Sequence, residues 1–378
     1  MQLLSLRYER FRNLADVALT PSAHTTIAVG ENGQGKTNLL EGLYFLATLK
    51  PLRAGRLAEL VQFGAASARV TGRFLLAGAE REISVEVMPG ARTAFVDGKR
   101  AASLEAYFGG VSVVAFTPDD LAVVKGGPDG RRAFLDRTVF NRFPAYLDES
   151  REYARALKSR NRLLKDGAPV SHLQAWDATL AKVGARLWTR RREVLGEVAS
   201  RAAQAFARIG RTEAGASFSY TPSHLPGVDF AASSEAQLEG ALAHALDVRL
   251  RRDVERGFTS VGPHADDLEL SLGEHPARQF ASQGQARALV LAWKVAEIEN
   301  LQATNGLLPL LLLDDVSSEL DPERNAFLMG YLAESGAQTL LTTTDAHLVE
   351  RAVGDDTAWY RVRGGQVTRE PSPGASAT

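Results

Sequence analysis

The 378-residue chain has no cysteine, which excludes disulfides, zinc–thiolate centres and thiol chemistry. No apolar run approaches the roughly 20 residues of a membrane-spanning helix, and no secretory signal is visible at the N-terminus. These absences fit a cytoplasmic protein. Charge of one sign is also lacking: 44 Lys and Arg stand against 45 Asp and Glu. No global field draws the chain to nucleic acid, so any such affinity must come from local patches. There is no internal repeat. The length allows two domains, and the apolar content is that of an ordinary globular protein.

What is present begins with a phosphate-binding loop. Gly30-Glu31-Asn32-Gly33-Gln34-Gly35-Lys36-Thr37 matches GxxxxGK[ST] without a mismatch. The β-branched, apolar run Thr25 to Val29 before it reads as a buried strand. Leu39, Leu40, Leu43 and Leu46 after it recur as on a helix. Glycines at 30, 33 and 35 would let backbone N–H groups turn inward around phosphates, and the helix N-terminus would add partial positive charge. Lys36 is expected to reach the β- and γ-phosphates of ATP, and the Thr37 hydroxyl to ligate Mg²⁺.

The chemical partners of this loop come near the other end of the chain. Leu310 to Leu313 form a wholly apolar run, as in a strand buried on both faces of a parallel sheet. Asp314 and Asp315 end it. Asp314 is expected to hold Mg²⁺ through water and Asp315 to polarise the attacking water, so Lys36, Asp314 and Asp315 form the expected catalytic set. The plainer alternative is a strand-end turn with solvated acids. Ser282-Gln283-Gly284-Gln285 opens an apolar-periodic helix through Ala288, Leu289, Leu291, Ala292, Val295 and Ile298. A Ser at a helix start is by itself an N-cap. Its place ahead of the Asp-Asp strand is that of the signature motif of ABC-type ATPases. A signature works in trans: Ser hydroxyl, Gly amide and helix dipole bind a γ-phosphate held by the other protomer. Ser318-Glu319-Leu320-Asp321 resembles the D-loop, with Ser318 and Asp321 its polar members. Where such ATPases place a switch histidine the chain has Thr344, and His347 comes too late. The long separation of the two halves is the plan of SMC-type DNA-handling ATPases rather than of transporter subunits.

Taken together these motifs resemble the RecF family, short-armed relatives of SMC and Rad50 proteins that act in bacterial recombinational repair. The resemblance covers nearly the whole chain. It includes Phe11-Arg12-Asn13-Leu14, the extended loop Asn32 to Glu41, and Phe116-Thr117-Pro118-Asp119-Asp120-Leu121 followed by Lys125-Gly126. It also includes Gly262-Pro263-His264 with Asp266-Asp267-Leu268, and Asp314-Asp315-Val316 with Asp rather than Glu at 315. It adds Arg12, Asn13, Asn32 and Asn38 to the expected nucleotide-binding residues. Two departures stand out: Ala265 replaces an expected Arg, and no Q-loop Gln lies near Thr117. His264, Asp266 and Asp267 do not read as a metal site, because neighbouring strand residues face opposite ways.

The resemblance implies an α/β fold: an ABC-type, SMC/Rad50-like P-loop ATPase head with an inserted, mainly helical lid or arm. The expected divisions are 1–120 (lobe with the phosphate loop), 121–257 (helical arm), 258–370 (lobe with signature, Walker B and D-loop) and 371–378, a Pro/Ser/Gly/Ala-rich disordered tail. Alternation in Arg69 to Leu76 and Arg81 to Val87 predicts strands. Ala145 to Lys165 and His172 to Ile209 flank an Asp166-Gly167-Ala168-Pro169 break and predict a helical hairpin, with Glu235 to Arg256 a further helix. Leu173, Trp176, Leu180, Val183, Leu187 and Val194 recur at helical spacing and suggest core. From Lys125 to Arg211, nineteen Lys and Arg stand against nine Asp and Glu, a surplus too large to pair locally. Arg131, Arg132, Arg155, Lys158, Arg162, Arg190 and Arg191 are the candidate DNA contacts. The alternative is a solvated helix face with i,i+4 ion pairs.

The expected function is an ATP- and Mg²⁺-dependent homodimer that clamps double- and single-stranded DNA at gaps and junctions. Its ATPase is expected to be weak and DNA-stimulated. By resemblance, RecR, RecO and RecA would be its partners, in the SOS response among other settings, and no membrane would be involved. Alternatives are the ATPase subunit of a transporter and a nucleotide switch that does not act on DNA.

Overall fold

The computed structural model describes residues 1–371 apart from 54, 211, 226, 353 and 355. Of the tail expected to be disordered, all but Pro371 lies outside the described residues. The chain divides into two compact units, Met1–Leu121 with Glu297–Thr378, and Ala122–Ala296.

The first unit is built on two six-stranded sheets. One sheet runs in the order Gln366–Glu370, Ala358–Arg363, Thr25–Val29, Thr339–Thr343, Leu310–Asp314, Val113–Phe116. All its pairings are parallel except the terminal hairpin between Ala358–Arg363 and Gln366–Glu370. Leu310 to Leu313 are at most 1% exposed, so the continuous apolar run marks a strand covered on both faces. Each such leucine contributes about 1.5–3 kcal/mol of burial. The other sheet is antiparallel and includes Gln2–Phe11, Ala68–Leu76 and Ala79–Met88. Its strand Ala68–Leu76 alternates buried and more exposed positions along most of its length, as the sequence pattern predicts.

Helix Lys36–Thr48 touches strands of both sheets, and nearly every residue of it is buried. An apolar residue on every side is what a fully enclosed helix requires. Gly42 lies where a Cβ would come 2.4 Å from the Tyr8 ring, so only glycine permits that approach. No helix among the described residues is long and apolar enough to cross a membrane.

The second unit is mainly helical. Tyr146–Lys165 and Val170–Ile209 form the expected hairpin, turning at Gly167 with φ +65°. Leu173, Leu180, Val183, Leu187 and Val194 are buried along the longer helix, whereas Trp176 is half-exposed. Helix Glu235–Arg256 starts in a reciprocal capping box between Ser234 and Gln237 and stops at Gly257 in the left-handed region. A fully buried Arg160 joins these helices, bonding Asp177 at 2.5 Å, Asp253 at 2.8 Å and the Thr259 hydroxyl at 2.9 Å.

One expected boundary is corrected. The chain does not return to the ATPase sheet from residue 258. Strand Asp267–Leu272 instead pairs antiparallel with Ala216–Thr221 and His275–Pro276 in a separate three-stranded sheet. Its burial alternates, which suits a sheet with one covered face and not the buried parallel sheet. The second unit therefore extends to Ala296, and the first strand after the insertion to rejoin the parallel sheet is Leu310–Asp314.

Candidate nucleotide-binding site

The phosphate loop lies between strand Thr25–Val29 and helix Lys36–Thr48, and its shape depends on two glycines with positive φ: Gly33 at +77° and Gly35 at +113°. At Gly35 a Cβ would also fall 2.7 Å from the Asn13 side chain. Asn13 braces the loop, donating to the Gln34 carbonyl at 3.1 Å and accepting from Asn38 Nδ2 at 2.8 Å. A second brace comes from the Gly364-Gly365 turn: Gly364 N donates to Gln34 Oε1 at 2.7 Å and Gly365 N to the Gln34 carbonyl at 2.9 Å. Sequence reasoning missed this turn. The signal was there, a Gly-Gly pair between two alternating strands.

The loop bounds a cavity of about 400 Å³ whose far side is formed by Arg53, Pro118, Asp314 and Asp315. Lys36 is buried, and its Nζ donates to the carbonyls of Gly30 at 2.7 Å and Glu31 at 3.0 Å. Burial lowers its pKa, opposed by the charges of Asp315 and Asp314. Thr37 Oγ1 donates to Asp314 Oδ1 at 2.9 Å, tying the two distant halves of the sequence together. Thr342 Oγ1 reaches the same oxygen at 3.0 Å. Burial raises the Asp314 pKa, and the bonds from Thr37 and Thr342 and the charge of Arg53 oppose that rise.

Asp315 is set differently. Its backbone is left-handed, with φ +49°, and its N–H donates to both the carbonyl and the hydroxyl of Thr342 at 3.1 Å. Its buried Oδ1 has no hydrogen-bond partner. A left-handed backbone and an orphaned acceptor at one residue leave that oxygen unused by the fold. The donor set around it, a Thr hydroxyl and Asp carboxylates in a pocket open to phosphates, suits Mg²⁺, which keeps several waters and shares substrate oxygens.

Arg12 and Arg53 converge on Glu41. Arg12 bonds it at 2.9 and 3.2 Å, and Arg53 at 2.9 Å, while the Glu41 side chain is fully buried. Arg12 thus ties the strand turn at its own position to the helix behind the loop. Arg53 lines the cavity and bonds Asn38 at 2.8 Å. Sequence reasoning missed Arg53, because an Arg in a Pro-containing loop carries no motif.

The signature residues lie in the second unit. Ser282 and Gln285 form a reciprocal capping box: Gln285 N donates to Ser282 Oγ at 3.2 Å, and Ser282 N to Gln285 Oε1 at 2.8 Å. Ser282 and Gln283 are exposed, and Gly284 and Gln285 are half-exposed. In the D-loop, exposed Ser318 donates to the Asp315 carbonyl at 2.7 Å, and Asp321 caps helix Pro322–Ser335 through Arg324 N at 3.1 Å. Thr344 and His347 are both exposed.

Three of the seven candidate DNA contacts are corrected. Arg131 is 5% exposed and bonds Asp267 through two 2.7 Å contacts. Arg191 is 4% exposed and bonds Asp136, Tyr146, Tyr220 and the Pro263 carbonyl. Arg132 is held by the Asp266 carbonyl at 2.6 Å and by Asp129. Their guanidiniums bind internal acceptors, among them carboxylates distant in sequence that a tally of charge cannot pair with them. Arg190 stacks over the Phe143 ring at 4.4 Å. Arg155, Lys158 and Arg162 are exposed on helix Tyr146–Lys165. They are spaced by three and four residues, and Lys165 follows by three more, which puts all four on one face.

The model of the RecF/RecN/SMC N-terminal domain matches residues 2–366. The DNA replication and repair protein RecF of Myxococcus xanthus is 68% identical over 99% of this chain and all of its own length. This chain belongs to the RecF family. A second RecF, from Anaeromyxobacter sp. strain Fw109-5, is 55% identical over 97% of this chain and 99% of its own. A solved structure of the recombination mediator protein RecF-ATPrS in the RecFOR pathway superposes with a TM-score of 0.87 at 29% identity, covering 98% of each chain. An Smc head bound to the C-winged helix domain of ScpA, at 17% identity and a TM-score of 0.57 over 99% of this chain and 98% of its own, shares the fold. The resemblance and the fold class read from the sequence are thereby borne out: the RecF-family chain is an ABC-type ATPase head with an inserted helical unit.

Proposed function

We propose that this chain is an ATP-gated DNA clamp of replication and recombinational repair. The observation that carries the proposal is the pairing of a complete phosphate site in one unit with a surface-presented signature motif in the other. Two copies would close on two ATP molecules, each signature meeting the γ-phosphate held by its partner.

Within one copy, loop amides and Lys36 would hold the phosphates, with Lys36 giving up its bonds to Gly30 and Glu31. Thr37 and Asp314 would hold Mg²⁺, which would neutralise phosphate charge. Asp315 would orient the attacking water. Ser282 and Gly284 of the second copy would donate to the γ-phosphate, adding stabilisation present only in the dimer. Asp315 is one methylene shorter than Glu, and Thr344 stands where a switch histidine would. Both features support slow turnover; stimulation by DNA is the further part of the proposal. Closure would bring the Arg155, Lys158 and Arg162 stripes onto the phosphates of one duplex, giving salt-sensitive binding without sequence preference. Gaps and single-/double-strand junctions, with RecR and RecO as partners in loading RecA, fit the RecFOR pathway in which the structurally similar RecF acts.

The test is sedimentation of a labelled gapped duplex with and without ATP and Mg²⁺. A complex of two copies that needs ATP is expected. Equal binding without nucleotide, or none at all, would sink the clamp. Ser282→Arg should keep ATP binding by each copy and lose the dimer.

A further inference from the structure

The turn that leads into Ser282 is held more firmly, and displays more apolar surface, than an N-cap requires. From His275–Pro276 the chain enters a four-residue helical turn, Ala277–Phe280, and then Ala281. Lys125 Nζ donates to the carbonyls of Ala277 at 3.5 Å, Arg278 at 3.3 Å and Ala281. One ammonium has three protons, enough to serve all three carbonyls of this turn. Ala277 and Ala281 are buried beneath it.

What the clamped turn shows to solvent is an aromatic pair. Phe280 is 61% exposed, and its ring lies 4.9 Å from that of His275, which is also exposed. Arg278 and Gln279 are exposed beside it. Most of the burial free energy of a phenylalanine is thus unrealised in the single chain, at a site where the backbone has been fixed. Phe280 precedes Ser282 by two residues, so it lies within about 7 Å of it along the chain. A partner that covers Ser282 must therefore cover Phe280.

We propose that Phe280, packed against His275 at a tilt and presented by the Lys125 clamp, is an apolar anchor of the ATP-dependent contact between two copies of this chain. The proposal rests on the signature acting in trans. The surface that receives Ser282 is the rim of the partner's phosphate cavity, which carries Pro118 and the partly exposed Arg53 guanidinium. An aromatic ring can pack on the one and sit against the other as a cation–π partner. A central aromatic ringed by polar groups is the usual form of an interface anchor. Lys125 acts as a positioning residue, through its bonds to the backbone of the turn that carries Phe280.

The experiment uses the full chain with ATPγS and Mg²⁺. Dimer dissociation is measured by sedimentation velocity, and nucleotide affinity by a fluorescent ATP analogue at concentrations where the protein is monomeric. Phe280→Ala is expected to weaken the dimer by about tenfold to a hundredfold and leave monomer nucleotide affinity unchanged. Phe280→Trp should restore the dimer. Lys125→Met should weaken it less, with Phe280 still present. If Phe280→Ala dimerises like the parent while Ser282→Arg does not, the anchor is refuted and the trans signature stands. If Ser282→Arg dimerises as well, the trans signature itself fails. A loss of monomer nucleotide affinity in Phe280→Ala would also overturn the proposal, since it would put the ring in its own chain's site.

Discussion

The two units differ in how tightly chemistry constrains their residues. In the nucleotide-binding unit a phosphate needs backbone amides, a lysine and a hydroxyl at fixed spacing, and few sequences can supply them. In the helical unit an arginine serves equally well inside or outside. Arg191 and Arg155 look alike in sequence, yet one is 4% exposed among Asp136, Tyr146 and Tyr220 and the other is on the surface. A motif reports geometry, whereas a tally of charge reports only composition.

The contrast breaks most visibly at Lys36. Lys36→Met should lower ATP affinity by about a hundredfold or more, because the loop loses its one buried cation facing the phosphates. Titration with a fluorescent ATP analogue checks this. Near-normal affinity would mean that Arg53, across the same cavity, carries the phosphate charge instead.

The second unit gives a paired test. Arg191→Ala leaves Asp136 without its ion-pair partner and should cost about 3–5 kcal/mol of stability, seen as a lower Tm. Its effect on DNA should follow only from unfolding. The triple change of Arg155, Lys158 and Arg162 to Ala should leave Tm nearly unchanged. It should reduce the slope of log affinity against log salt by about 0.9 for each DNA phosphate that is no longer neutralised. If the surface triple leaves the salt slope intact, the stripe is only a solvated face.

Much of the architecture was legible because periodicity survives in a single sequence. The apolar run before Asp314, the strand before the phosphate loop, the helical hairpin broken at Asp166 to Pro169, and the helix ending at Gly257 were all written in local pattern. The boundary near residue 258 was not. Asp267–Leu272 is a strand either way, and only its distant partner Ala216–Thr221 decides which sheet it joins. The same limit hid the brace from Gly364-Gly365 and the role of Glu41, whose two arginines come from separate loops. Pairings between residues far apart in sequence leave no local periodicity to read.

Within the nucleotide-binding unit itself, Asp315 separates function from stability. A left-handed backbone costs a non-glycine residue about 1 kcal/mol. Asp315→Gly should relieve that cost but give the unfolded chain more freedom, so the nucleotide-free protein should be as stable or slightly more stable, and ATP hydrolysis should be lost while ATP binding is retained. Thermal unfolding and single-turnover hydrolysis measure the two sides. A destabilised Asp315→Gly protein would mean that the buried carboxylate holds the fold together and that its orphaned oxygen is no sign of a waiting ligand.

The smallest effect should come from the neighbouring carboxylate. Burial raises the Asp314 pKa above its ordinary value, so the folded chain holds that proton more tightly than the unfolded chain. Stability then falls as pH rises through the window between the unfolded and folded pKa, and the penalty persists at neutral pH. Asp314→Asn keeps an oxygen for Thr37 and Thr342 but carries no charge. It should therefore raise the neutral-pH Tm of the nucleotide-free protein slightly, with the gain vanishing on acidification below the carboxylate range, while Mg²⁺-dependent hydrolysis is lost. Were the gain instead to persist in acid, packing rather than charge would account for it. The first unit's most legible residue would then owe its place to shape alone.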